Sequence, residues 1–209
     1  PRYEGTAEEN SRMLRTATRI FGAFDVGFVK LNKNNKKFLY GNLIFEDVEE
    51  GYDPGDGRMI LPDKDLWVIV AAIPQSLLMG QHNNMGAPYA HAYSQAYIYS
   101  NRMKTFLQTL GYQGYGGGTT SIGVAPAFGV LSGVAEYGRT GQMVSPHVGT
   151  MFRTVMLTIT DLPLAETKPI DAGILAFCKT CKKCAESCLS GAISMDDEPS
   201  WITEAPPWQ

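Results

Sequence analysis

All four cysteines of this 209-residue chain, Cys178, Cys181, Cys184 and Cys188, fall within eleven consecutive positions. A disulfide framework spreads its cysteines to staple distant loops, and zinc sites commonly pair two separated knuckles. The run C-x2-C-x2-C-x3-C instead has the spacing that wraps a cubane iron–sulfur cluster, because successive turns of a short loop can aim soft thiolates at neighbouring corners. Residues 178–188 are therefore a candidate electron-transfer site, with zinc binding and redox-active thiols as the alternatives. In two-cluster ferredoxins the fourth cysteine of such a run serves the other cluster. Either these four thiolates manage one cluster alone, or a second run follows beyond Gln209. The Pro- and Trp-rich end, Pro199 to Gln209, favours truncation.

Composition narrows the remaining choices. Lys and Arg number 18 against 21 Asp and Glu, a net charge of −3, and nowhere do basic residues gather with interleaved aromatics. Nucleic acid is not an expected partner. The longest apolar run, Trp67 to Ile73, is far shorter than the roughly 20 residues of a membrane-spanning helix. At 44% hydrophobic residues the chain can build one substantial core, or one domain with an appendage.

Periodicity then sets out the elements. Thr6-Ala7-Glu8-Glu9 fits a capping box, and Met13, Leu14, Ala17, Ile20 and Phe21 follow at helical spacing, which predicts a helix over 7–22. Strands are expected at 27–31 and 37–43, with a Gly/Asp/Pro loop at 51–58. Trp67–Ile73 is apolar on both faces and β-branched, so it should be a central strand covered on both sides. A helix over 90–110 carries Tyr93, Ala96, Tyr97, Ser100, Met103, Leu107 and Leu110 along one stripe and closes at Gly111. A Gly-rich turn at 116–120 leads to a small-residue helix ending at Glu136-Tyr137-Gly138-Arg139, and Met151–Thr160 alternates as a strand. Strands and helices without a βαβ rhythm indicate an α+β domain over 1–165, then a linker at 163–169 and the cysteine segment, 166–209.

Few other residues point to chemistry by themselves. The turn Gly116-Gly117-Gly118-Thr119-Thr120 could bring backbone N–H groups close to a large cofactor, yet it matches no phosphate-binding fingerprint and reads equally as an ordinary turn. Glu46, Asp47, Glu49 and Glu50 form a solvated acidic edge. His82, His91 and His147 make no metal spacing, and no D-x-H-x-x-G element is present to offer a histidine to cobalt. On periodicity alone Tyr93 is a core aromatic, and Arg139 is a helix-terminal cation.

Taken together, Gly111-Tyr112 through Glu136-Tyr137-Gly138-Arg139-Thr140-Gly141, Thr160-Asp161-Leu162-Pro163-Leu164 and Phe177-Cys178-Lys179-Thr180-Cys181 resemble corrinoid- and iron–sulfur-dependent reductive dehalogenases. The similarity runs from Tyr3-Glu4-Gly5-Thr6 to Glu198-Pro199-Ser200-Trp201. It implies a nitroreductase-like α+β corrinoid-binding domain, followed by the start of a ferredoxin-like segment. The implied cofactors are a base-off corrinoid of the cobalamin type and [4Fe–4S] clusters, two in the family pattern. The implied substrate is a small organohalide, with membrane-anchor and electron-donor partners at the outer face of the cytoplasmic membrane.

Carried over residue by residue, the resemblance makes Tyr93 the proton donor, Arg139 the cation beside it, and Thr119 the occupant of a position that is often Asn. Gly117, Gly118, Thr120 and Gly138 fall where the cofactor is approached, and Cys178, Cys181, Cys184 and Cys188 are the cluster ligands. Leu189 departs from the Pro that usually follows the last cysteine. An epoxyqueuosine reductase-like enzyme, with the same cofactor pair, and a non-catalytic iron–sulfur electron carrier are the alternative readings.

Overall fold

The computed structural model describes residues 2–81, 86–116, 122–153 and 157–198. Helix α1 (Ala7–Ile20) opens on the expected capping box: Glu9 N–H donates to Thr6 Oγ1 at 3.3 Å, and Thr6 N–H to the Glu9 carboxylate at 2.9 Å. Gly22, at φ 105°, closes it, with its own N–H on the Arg19 carbonyl and that of Ala23 on Thr18. Strand β1 (Asp25–Lys30) follows.

The strand expected at 37–43 is instead a 3₁₀ turn over Lys36–Phe38. Asn32 and Asn35 cause the difference, because Asn34 N–H donates to the Asn32 side chain, Asn32 N–H to that of Asn35, and Asn35 Nδ2 to the Lys30 carbonyl. These local bonds wind the backbone before it can pair. Strand β2 (Leu43–Glu46) begins afterwards and lies parallel to β3 (Met59–Pro62), which the turn-rich stretch before it obscures in the sequence.

Next come β4 (Trp67–Pro74), a short α2 (Leu77–Gln81) and the long α3 (Gly86–Thr109). Gly111, at φ 81°, ends α3 as expected, with Tyr112 N–H on the Leu107 carbonyl. After β5 (Gly114–Gly116), α4 (Ala125–Leu131) stops short of the expected Arg139. Ser132 caps it and Gly133 turns the chain at φ 73°, so Glu136–Tyr137 forms β6 and pairs with β7 (Met143–Val144). The expected strand at 151–160 is present as β8 (Phe152–Arg153) and β9 (Leu157–Thr160), with residues 154–156 outside the description. Helices α5 (Ile174–Cys181) and α6 (Lys183–Glu186) complete the order.

The main sheet runs β1-β4-β9-β5, every pair antiparallel, and β8 pairs with the end of β4. β4 is buried from Trp67 to Ile73, as its composition requires. Trp67, Ile69, Ala71 and Ile73 enter a core with α1 and α3, whereas Val68, Val70 and Ala72 enter a second core with Phe128 of α4 and Leu61 of β3. The stripe α3 buries is Ala92, Ala96, Tyr99, Met103 and Leu107, so Tyr93 stands one residue off it, half-buried.

The expected linker at 163–169 is a strap rather than a free connection. Leu162 and Leu164 are core residues. Ala165 N–H reaches Ser11 Oγ at 2.9 Å, Thr167 N–H the Phe28 carbonyl at 2.9 Å, and Thr167 Oγ1 donates to the Ser132 carbonyl at 2.6 Å. β1 carries Gly27 under this strap. A Cβ there would stand 2.6 Å from Ser132 Cβ and 2.9 Å from Thr167 Oγ1. Gly27→Ala is expected to lower the unfolding free energy by about 1–3 kcal/mol, the usual cost of overpacking, read as a reduced urea midpoint. An unchanged midpoint would mean that the strap yields freely.

Candidate functional site: the cysteine segment and the first turns of α3

Cys178 and Cys181 lie on α5, Cys184 on α6 and Cys188 just beyond it; all four are free and half-buried. Lys182, at φ 50°, is in the left-handed conformation and separates the two helices. Among the described residues no three His, Cys, Asp or Glu side chains form a preformed metal group. The segment thus supplies the donors of a thiophilic centre, four unbridged thiols in one short stretch, without gathering them around a common point. In donor chemistry they fit an iron–sulfur cluster.

The segment is held against the β6–β7 hairpin. Buried Glu136 accepts the Ala172 N–H through its carboxylate. Gly138 allows a close approach, since a Cβ there would stand 2.8 Å from Val144 Cγ2 and 3.9 Å from Cys178 Sγ. Arg139, expected beside a catalytic tyrosine, is found here. Its Nε donates to the Cys178 carbonyl at 3.0 Å, and its Nη1 to the carbonyls of Ser194 and Asp196, both at 2.7 Å. It is a cation at a helix C-terminus, as its sequence context suggested, but the helix is α5 rather than the one before it.

The cation beside the opening turns of α3 is Arg153, which sequence inspection passed over because no motif surrounds it. Its guanidinium lies 4.5 Å from the centre of the Tyr89 ring, and Tyr93 follows one helical turn later. Arg153 sits on β8, opposite Ile73 near the end of β4. At the same sheet end Gln75 N–H donates to the Met151 carbonyl, while Gln75 Nε2 is buried without an acceptor. A buried, unpartnered amide donor is costly unless a ligand accepts from it, and the carboxamides of a corrinoid are acceptors of the right kind. Gly117, Gly118, Thr119 and Thr120 lie outside the described residues, directly after β5.

Two surface hollows lie elsewhere. One of about 410 Å³ runs along the outer face of α3 beside Phe21 and Phe106, and one of about 380 Å³ lies between Arg2, Lys64, Trp67 and Asp161. Neither borders a cysteine, Tyr93, Arg139 or Arg153.

Comparison with known proteins bears on this arrangement. Residues 39–164 match the family model described as reductive dehalogenase subunit. This chain belongs to the reductive dehalogenase subunit family. It is 33% identical to a trichloroethene reductive dehalogenase of Dehalococcoides mccartyi, over 96% of this chain and 44% of that protein. With a tetrachloroethene reductive dehalogenase of Sulfurospirillum multivorans it shares 30% identity, over 89% of this chain and 41% of that protein. The reductive dehalogenase chain therefore spans under half the length of these relatives.

In fold it resembles the catabolic reductive dehalogenase NpRdhA, with a TM-score of 0.74 at 21% identity, over 92% of this chain and 27% of that one. The resemblance to epoxyqueuosine reductase in a structure with a tRNA stem loop is more distant, with a TM-score of 0.53 at 15% identity, over 88% of this chain and 53% of that one. The mixed α/β architecture is thus that of reductive dehalogenases.

The surroundings of Cys188 make its thiol more acidic. The Ser190 hydroxyl, 3.4 Å from its Sγ, and backbone groups at Ile193 and Ala192 pull it down to about 7. A thiol with a lowered value is half thiolate at that pH, and the thiolate is the nucleophile. In iron-free protein Cys188 should be alkylated by iodoacetamide with a rate midpoint near pH 7 that rises in Ser190→Ala. A Cys188 midpoint left unchanged by Ser190→Ala, read by peptide mass spectrometry, would contradict this.

Proposed function

We propose that this chain is the part of a reductive dehalogenase that joins the substrate face to the first cluster segment. The reaction replaces halogen by hydrogen on a small organohalide, R–X + 2e⁻ + H⁺ → R–H + X⁻. The observation that carries the reading is the family match over residues 39–164. The α+β core is read as nitroreductase-like and residues 166–209 as the start of a ferredoxin-like segment.

When bound, a corrinoid would supply low-potential metal chemistry able to cleave a carbon–halogen bond, with [4Fe–4S] clusters as one-electron carriers. Gly117, Gly118 and Thr120 would approach the macrocycle through their backbone, with Gln75 Nε2 as a donor to it. Cys178, Cys181, Cys184 and Cys188 would ligate cluster iron, the last of them in this cluster or in a second one. We group Gly138 with the cluster segment, since a Cβ there would come within 3.9 Å of Cys178 Sγ.

Tyr93 supplies the proton from its hydroxyl. Phenols ionise near pH 10 in water, to within about a unit, so a tyrosine has a proton to give at neutral pH. We assign the accompanying cation to Arg153 instead of Arg139. Arg153 lies against the ring of Tyr89, one helical turn before Tyr93. Thr119, where the family often carries Asn, would add a hydroxyl to this polar group. By family resemblance, the partners are a membrane anchor and an electron donor at the outer face of the cytoplasmic membrane.

The epoxyqueuosine reductase reading has the weaker fold likeness, 0.53 against 0.74 in TM-score, and the sequence has no basic surface run for a tRNA. In the intact enzyme, Tyr93→Phe should reduce dehalogenation by roughly 10²–10⁴-fold, the range for losing a positioned acid, while the corrinoid absorbance persists. Arg153→Leu should also slow turnover. Undiminished turnover in Tyr93→Phe rejects the assignment, and loss confined to Tyr89→Phe moves the role one turn back. Cluster absorbance without a corrinoid band would favour the electron-carrier alternative.

A further inference from the structure

We propose that Arg139 is the clamp that closes the cysteine segment on itself and fixes it to the β6–β7 hairpin. One guanidinium joins a carbonyl at the first cysteine, Cys178, to the carbonyls of Ser194 and Asp196 beyond the last. All four thiols therefore lie on a loop whose two ends meet at a single side chain. The clamp itself follows from these contacts, whereas what it serves rests on the cluster reading of residues 178–188.

Each partner of the clamp has a local reason to be available. The Cys178 carbonyl belongs to the last turn of α5, where carbonyls lack intrahelical donors because Lys182 leaves the helix. Arg139 sits in the tight turn of the hairpin, where Gly138 N–H meets the Gln142 carbonyl and Gly141 N–H the Gly138 carbonyl. Gly138 removes the Cβ that would stand 2.8 Å from Val144 Cγ2, so the hairpin turn can close beside the segment.

Two further ion pairs join the same loop ends, Lys179–Glu198 at 2.8 Å and Lys182–Asp197 at 2.6 Å, but both are exposed at the carboxylate and contribute little. A guanidinium has a rigid fork of five donors and can hold several carbonyls at once, which an ammonium on a flexible stem does not reproduce. Arg139 also keeps a fixed positive charge next to the thiolate segment. Such a charge favours the more negative, reduced state of any cluster bound there.

The test compares wild type, R139K and R139M in two measurements. Hydrogen exchange on the iron-free chain should speed up by roughly tenfold or more in peptides covering 174–198 in both variants, with β4 unchanged. In the cluster-loaded enzyme, the midpoint potential should become more negative in R139M and stay near wild type in R139K, which keeps the charge. Wild-type exchange over 174–198 in R139K and R139M overturns the clamp, and R139K alone suffices if R139M does not fold. An unshifted potential in R139M overturns the electrostatic role. A wild-type enzyme that binds no cluster at all would refute the cluster reading while leaving the exchange result to decide the clamp.

Discussion

Strand β4 is the constraint on which the rest of the structure depends. Its side chains alternate between two cores, Trp67, Ile69, Ala71 and Ile73 on the α1/α3 side and Val68, Val70 and Ala72 on the α4 side. A shift of one residue would exchange the two sets, placing Trp67 and Ile73 where the space suits valine and alanine. Register is therefore tightly specified, and the place where β4 ends is specified with it. There the chain reaches Pro74 and Gln75, and β8 joins the strand with Arg153 opposite Ile73. The first turns of α3 are drawn to the same end through Arg153 and Tyr89. Gln75, Arg153 and Tyr89 thus meet at one sheet end, where the registry of β4 brings its last residues.

The cysteine segment is referenced to the same sheet by a different route. The strap from Leu162 to Thr167 buries two leucines beside α1 and α3 and bonds to β1 through Phe28. Further along, Glu136 receives Ala172 and Arg139 receives the cysteine loop, both from the hairpin after α4. Thr167 and Ala172, five residues apart, are thus both tied to the core elements.

Much of this was legible in the sequence wherever local chemistry and tertiary packing agree. The capping box at Thr6, the glycine closures at Gly22 and Gly111 and the double burial of Trp67–Ile73 are carried by short-range rules, and all are present. The 37–43 strand misled because asparagine side chains at 32 and 35 compete with pairing, which an apolar pattern does not register. Helix α4 ended early because Ser132 and Gly133 satisfy its carbonyls and reverse the chain before Arg139. In the candidate site the cysteines were visible from spacing. Arg153 was not, since its relation to Tyr89 joins a two-residue strand to a helix some sixty positions earlier and leaves no local trace. The different surroundings of the two arginines have the same origin: sequence locates a cation near a motif, while only the fold decides which carbonyl or ring it meets.

The break at Lys182 shows how the cysteine spacing and the backbone are matched. In an unbroken α-helix, residues 178, 181 and 184 would step round the axis by roughly 60° each and rise by about 9 Å overall, so their thiols would diverge. The chain instead leaves the helix after Cys181, through a left-handed residue that is not glycine. That conformation costs a residue with a Cβ about 1 kcal/mol or more, and it persists where the surroundings hold it. Beside it, the α5 carbonyl at Cys178 accepts from Arg139, whose other bonds reach the Ser194 and Asp196 carbonyls. The strain and the clamp are then two parts of one arrangement: the left-handed turn redirects Cys184 and Cys188 away from the α5 axis, and the bonds at the loop ends keep the redirected segment from relaxing into a continuous helix.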